Sequence, residues 1–304
     1  MCSSDLNLLN VSLTNRTNRG EKVELLLTGV PKELELEKKT AVVSLAPGEK
    51  RVLAFPIRKS EMLPMKRYDF KIGLRSRFGY ATRKSSLSVL FAHRSENGEN
   101  LPWVKLNGTN LSANYHPTEK WSGPRDLSAK FRTWWNERGF GVDILVNDDH
   151  FVFPDNAPAA WRNDSVQLYF DMKRDATPTS GKEEKNMGDD CDYIISLLNG
   201  KTPAAYLNNG CDARFIGEAN QTRGVDSALR LSCERPSSGT LLYRIFFPAE
   251  TLPYIAFREG VSFGFSLLVN DDDGKGRKDG LTLAPRGTEP YRNPHLYKDL
   301  VLIR

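Results

Sequence analysis

Ser128-Ala129-Lys130-Phe131-Arg132-Thr133-Trp134-Trp135, then Asn136-Glu137-Arg138-Gly139, then Phe140-Gly141-Val142-Asp143-Ile144-Leu145-Val146, is the stretch on which the fold turns. Apolar and polar residues alternate on the way into the four-residue break, the period-2 pattern of a strand with one buried face. Asn136 and Gly139 frame the break as hairpin residues, so the spacing predicts two antiparallel strands. Similar runs follow at Ser165–Asp171, Tyr193–Leu198, Ala228–Cys233, Thr240–Phe247, Val261–Val269, Gly280–Leu283 and Leu300–Ile303, separated by loops rich in Gly, Asn and Asp. Ala249–Arg258, stopped by Gly260, reads as the one short amphipathic helix.

Upstream, from Leu6 to about His93, the runs are shorter. Asn7–Leu13, Val23–Thr28, Arg51–Ile57, Tyr68–Arg75 and Leu87–Phe91 are punctuated by turns such as Ala46-Pro47-Gly48-Glu49. This spacing predicts an immunoglobulin-like sandwich without the Cys…Trp…Cys signature of antibody domains. The polar segment His93–Asn100 interrupts the apolar alternation, which resumes near Trp103. The expected fold is therefore all-β. Two separately folded β-sandwiches, residues 1–94 and 101–304, divide near residues 94–100, and the second is the larger antiparallel one.

The 304 residues carry a net charge of +5 with 39% hydrophobic and 27% charged residues, as in a globular chain with a real core. The charge is uneven: residues 1–94 hold 18 Lys and Arg against 9 Asp and Glu, and the remainder holds 25 against 29. The basic residues, among them Lys22, Arg51, Lys71 and Arg83, are scattered singly along alternating strands. That is the pattern of solvated sheet faces, so no nucleic-acid partner is expected. No run approaches the roughly 18 apolar residues of a membrane span. No secretory leader is legible, and Met1-Cys2-Ser3-Ser4 would suit the start of a mature lipoprotein acylated at Cys2. Cys191, Cys211 and Cys233 allow one disulfide whose pairing the spacing does not fix, and they show no metal-ligand spacing.

Gly260-Val261-Ser262-Phe263-Gly264 matches the G-x-S-x-G nucleophile pattern, but the run continues through Phe265-Ser266-Leu267 as a strand. A nucleophile elbow needs a turn and a helix there, so no catalytic residue is assigned. Asn270-Asp271-Asp272-Asp273-Gly274 resembles a calcium loop. Aligning Gly274 with the EF-hand glycine puts Val269 at the first ligand position, which excludes that motif. Asn147-Asp148-Asp149 ends another strand in the same way. Both clusters read as turns that bond their own backbone, and either offers oxygen ligands to a structural calcium ion. Trp161 and Tyr291 stand out because they lie in Pro-containing loops rather than at alternating strand positions. Such rings either cap a core edge or meet a ligand.

Several blocks, in order, then resemble family 9 carbohydrate-binding modules across residues 101–304. They are Gly123–Lys130, the hairpin ending Val146-Asn147-Asp148-Asp149, Trp161-Arg162-Asn163-Asp164-Ser165-Val166-Gln167, Val269-Asn270-Asp271, and Asn293-Pro294 with Leu300-Val301-Leu302. The resemblance implies a β-sandwich that binds sugar between two aromatic rings, with calcium as a structural ion and Asp148 as a candidate ligand. It places the rings at Trp161 and at Tyr291, where the best-known members have Trp. Gln167 stands where sugar-binding members carry an acidic residue, Ile194 at a position that can hold Arg, and Thr288 at an Asn position. These departures imply a pocket altered in specificity, weakened or lost.

The first 94 residues resemble, more loosely, the Ig-like spacers of bacterial surface glycosidases. The implied protein is non-catalytic and extracytoplasmic, with an oligo- or polysaccharide as partner and no required cofactor, a structural calcium ion being optional. Two other readings remain: the accessory part of a larger glycoside hydrolase, or a surface module that has lost its sugar. A haem-binding relative of this sandwich would need Met172 or Met187 with His295 as axial ligands, which an absorption spectrum would reveal.

Overall fold

The computed structural model describes residues 7–31, 35–59, 66–113, 116, 118–176, 188–210, 224–291 and 293–304. Cys2, Met187 and Cys211 lie outside the described residues. Contacts divide the chain into Met1–Leu90 and Phe91–Arg304. Among the described residues there is no α-helix, and the fold is all-β as the alternation predicts.

The N-terminal unit contains β1 (Asn7–Thr14), β2 (Glu21–Thr28), β3 (Glu35–Leu36), β4 (Thr40–Leu45), β5 (Lys50–Lys59), β6 (Lys66–Ser76) and the start of β7 (Gly79–Arg94). β5 lies between β1 and β3 in one sheet, while β2 pairs with β4 and β6, and β6 with β7, in the other. Leu9, Val11 and Leu13 of β1, Leu25 and Leu27 of β2, and Phe55 and Phe70 share one buried cluster. These residues sit at alternating positions, so each sheet turns one face inward. Lys22, Arg51, Lys71 and Arg83 are exposed, as solvated sheet faces require.

The division falls before the polar segment at 94–100. β7 pairs with β6 as far as Val89, and at His93 and Arg94 it runs parallel to β9. The physical reason is the run Leu90-Phe91-Ala92-His93, all buried, which keeps the strand going past the last N-terminal contacts.

The C-terminal unit adds β8 (Val104–Leu106), β9 (Leu127–Asn136), β10 (Gly139–Asp148), β11 (Val166–Asp171), β12 (Asp190–Leu198), β13 (Thr202–Asn209), β14 (Gly224–Val225), β15 (Arg230–Ser237), β16 (Thr240–Pro248), β17 (Ser262–Asn270), β18 (Gly280–Thr282) and β19 (Lys298–Ile303). The hydrogen-bonded order β14-β13-β12-β11-β17 continues through β19, the end of β7, β9, β10, β16 and β15. The β9–β10 hairpin turns where Asn136 and Gly139 predict it. The Asn136 side-chain oxygen accepts from the Arg138 N–H at 2.9 Å. Gly139 has φ 150°, and a Cβ there would meet the Phe247 carbonyl oxygen at 2.0 Å, so only glycine fits.

The chain of strands folds over on itself, and its two layers meet through aromatic rings. Phe140 of β10 packs edge-on against Phe263 and Phe265 of β17, with centroids 5.4 and 5.6 Å apart. Phe170 of β11 meets Phe247 of β16 at 5.1 Å. Such rings bury the largest apolar areas available to a core.

The helix read at Ala249–Arg258 does not form. Only a single 3-10 turn, Ala249–Thr251, is present. Pro253 lacks the N–H that a helix would use and clashes with the preceding turn, while Leu252 and Ile255 are buried without helical geometry.

Candidate functional site

β11 is a central strand, flanked by β12 and β17. Its odd and even residues therefore face different worlds. Phe170 joins the aromatic core. On the opposite face Tyr169, with Leu268 and Tyr297, forms a separate buried cluster against which Tyr291 packs. Burial, with Glu289 as the next influence, pushes the Tyr169 hydroxyl well above its ordinary pKa, so it stays protonated.

Trp161 sits in the 3-10 turn Ala160–Arg162, just before β11, and is 37% exposed. The Arg162 and Arg277 guanidiniums lie 5.1 and 5.9 Å from its ring centroid. Tyr291 is half-buried, and its loop is tied by Asn293, whose amide donates to the carbonyls of Glu289 and Tyr291 at 3.0 Å each. Arg277 connects the two loops: it approaches the Trp161 ring on one side and pairs with Glu289 at 3.4 Å on the other. Gln167 shares the outer face of β11 but is only 5% exposed, and its carbonyl accepts from the Asn270 amide at 3.3 Å. Ile194, its partner on β12, is buried.

An acidic cluster fixes these loops from below. Asp148 ends β10, Asp164 precedes β11 and Asp271 follows β17, and their carboxylate oxygens lie within 4.8 Å of one another. Among the described residues, Asp148 Oδ2 and Asp271 Oδ1 are buried with no hydrogen-bond donor. Burial raises the pKa of Asp148 to about 6 and of Asp271 to about 8. Asp164 is raised well above its ordinary value, again chiefly by burial.

Lys278 is the local counter-charge, bonding Asp126 at 2.5 Å and Asp273, and lying 3.3 Å from Asp271. Its own burial would lower its pKa, but the bonds to Asp126 and Asp273 raise it above the ordinary value. The Asp272 carboxylate accepts from the N–H groups of Gly274 and Gly276, so the turn reading of this loop holds. Asn163 donates to Asp272 at 2.8 Å, and the Asp272 N–H donates to Asp164 at 3.1 Å. These bonds clamp the Trp161 loop to the loop that carries Arg277.

Residues 102–304 match the family model described as carbohydrate family 9 binding domain-like. The chain belongs to carbohydrate-binding family 9. A family 9 module from Caldicellulosiruptor kristjanssonii in complex with glucose is similar at 15% identity, covering 71% of this chain and 95% of that one, with a TM-score of 0.49. A family 9 module from Caldicellulosiruptor kristjanssonii in complex with cellotriose is similar at 15% identity and a TM-score of 0.49, covering 71% of this chain and 94% of that one. Among curated proteins, none matches the chain.

Within this family 9 module, Ser262 opens β17 and the strand runs on to Asn270, so the G-x-S-x-G match has no elbow. Cys191 and Cys233 are not joined in a disulfide. Sequence reading picked out Trp161, Tyr291, Gln167 and Asp148. It did not single out Arg277, Glu289 or Lys278, which lie in loops without periodicity. Asp164 was quoted only as part of a motif block.

Proposed function

We propose that the family 9 module binds an oligo- or polysaccharide without catalysis, by stacking a sugar ring on Trp161 and Tyr291. Gln167 contributes its amide N–H₂ from the outer face of β11. The observation that carries this reading is Trp161, a large ring 37% exposed and joined through Arg277 and Glu289 to the loop of Tyr291. Stacking one sugar face removes ~50–80 Å² of apolar surface from water, worth roughly 1–2 kcal/mol.

Calcium fits the trio Asp148, Asp164 and Asp271. Hard oxygen ligands suit that ion, and the two buried oxygens without donors are matched by a cation. Bound there, calcium supplies charge compensation and holds the loops of Trp161 and Arg277 in place. The setting proposed is an extracytoplasmic, polysaccharide-acting protein, in which residues 1–94 serve as an Ig-like spacer.

A second reading, a surface module that has lost its sugar, is favoured by the burial of Gln167 and by Ile194 beside it. Titration of the wild type and of Trp161→Ala with glucose and cellotriose separates the two. Stacking requires a loss of about tenfold or more in the variant at nearly unchanged thermal stability. Equal affinity in wild type and variant would remove Trp161 from the site, and a wild type that binds neither sugar would favour the second reading.

A further inference from the structure

On the outer sheet face, Asp192 of β12 lies opposite Tyr169, buried, and accepts from the Asn208 and Asn209 amides. Leu268, Ile194 and Tyr169 are buried there, and Gln167 is engaged with Asn270. Loops bring further charge to the rings: Arg162 lies 5.1 Å from the Trp161 centroid, and Arg277 pairs with Glu289. Arg277 Nη2 lies 3.5 and 3.4 Å from Glu289 Oε1 and Oε2. The two side chains are only 9% and 19% exposed, and the Arg277 guanidinium stands 5.9 Å from the Trp161 ring.

Both ends of this pair are fixed by their neighbours. Lys278, next to Arg277, is held by Asp126, Asp271 and Asp273, and its N–H donates to the Asp271 carbonyl at 2.9 Å. The carbonyl of Glu289 accepts from Asn293 at 3.0 Å. A preorganised pair loses less freedom when a ligand arrives.

We propose that the Arg277–Glu289 pair is the specificity-determining polar reader beside Trp161, and that its ligand is a neutral sugar residue presenting two adjacent hydroxyls. This rests on the stacking role of Trp161 proposed above. One hydroxyl oxygen accepts from the Arg277 fork and the next hydroxyl donates to Glu289, while the sugar face lies on Trp161. A guanidinium only donates and an ionised carboxylate only accepts, so together they read both halves of a diol. Bonds to charged partners are the stronger kind. The 3.4–3.5 Å separation exceeds the usual length of a charge-assisted bond. A sugar acid is disfavoured, because its carboxylate would face Glu289 and the cation is already compensated.

Calorimetric titration with cellotriose, glucose and glucuronate, beside thermal melts, tests the pair in wild type, Trp161→Ala, Arg277→Lys and Glu289→Gln. Arg277→Lys keeps the charge and loses the fork, and Glu289→Gln is isosteric. Each should weaken cellotriose binding by about tenfold. The double variant should lose little more than the worse single one, since the groups act together. Wild type should prefer glucose to glucuronate, and Glu289→Gln should narrow that preference. If both variants bind cellotriose like wild type while Trp161→Ala does not, the pair is not the reader and the stacking site stands. If Trp161→Ala also binds like wild type, or the wild type binds none of the three, both readings fall.

Discussion

One face of β11 presents Val166, Leu168 and Phe170 to a core of aromatic rings, with Phe170 lying 5.1 to 6.0 Å from Phe247, Phe265 and Phe140. The other presents Gln167, Tyr169 and Asp171, all buried, to hydroxyls, amides and carboxylates of the neighbouring strands. There, Tyr169 Oη, Ser196 Oγ of β12 and Ser266 Oγ of β17 are buried without a hydrogen-bond partner among the described residues. Each such group costs about 1–3 kcal/mol. A sheet selected for stability alone would carry apolar side chains at those positions. The contrast assigns folding free energy chiefly to the inner face.

Removing Phe170 breaks the contrast most severely. Phe170→Ala should destabilise the C-terminal unit by about 3–5 kcal/mol, because it leaves a cavity among rings that cannot close around it. Chemical denaturation monitored by circular dichroism reads this, and a loss below about 1 kcal/mol would deny the inner face its role.

Calcium tests the loop end where the two faces meet. A site on Asp148, Asp164 and Asp271 should add about 2.7 kcal/mol at calcium a hundredfold above its Kd. In chelator the sign with pH follows from the raised carboxyls. The folded chain keeps protons on Asp271 to about pH 8 and on Asp148 to about pH 6, whereas the unfolded chain releases them near the ordinary 3.8. The unfolded state thus binds fewer protons, so stability should fall as pH rises from about 4 to about 8. Calcium, which binds ionised carboxylates, should stabilise more at the upper end of that window. Thermal melts across it, with and without chelator, check both statements. A melting temperature indifferent to chelator at pH 8 would empty the site of its proposed ion.

The smallest expected effect sharpens the comparison from the other side. Trp161→Ala should change folding stability by no more than about 0.5 kcal/mol, since a ring on an exposed turn supports little core. A loss comparable to that of Phe170→Ala would make Trp161 a structural residue.

The layers were legible because period-2 alternation survives burial on both faces of β11 and because Asn136 and Gly139 carry turn chemistry. The end of β7 was misplaced because His93 and Arg94 look polar yet find a partner in β9, a long-range fact no local pattern holds. Ala249–Arg258 misled through its apolar spacing, although Pro253 was there to warn against a helix. In the site, Trp161 and Tyr291 stood out by their loop setting. Arg277, Glu289 and Lys278 did not, since their meaning depends on contacts across 12 to 152 residues of chain. Asp148 drew notice through its Asn-Asp-Asp run, but its partners Asp164 and Asp271 come from two other loops.

A crystal structure of the chain with cellotriose is the most direct test of carbohydrate binding on the outer face. The expected result is a pyranose ring lying flat on Trp161, bounded by Tyr291, with its hydroxyls toward Arg277 and Glu289. Sugar bound elsewhere on the molecule, with Trp161 untouched, would contradict it.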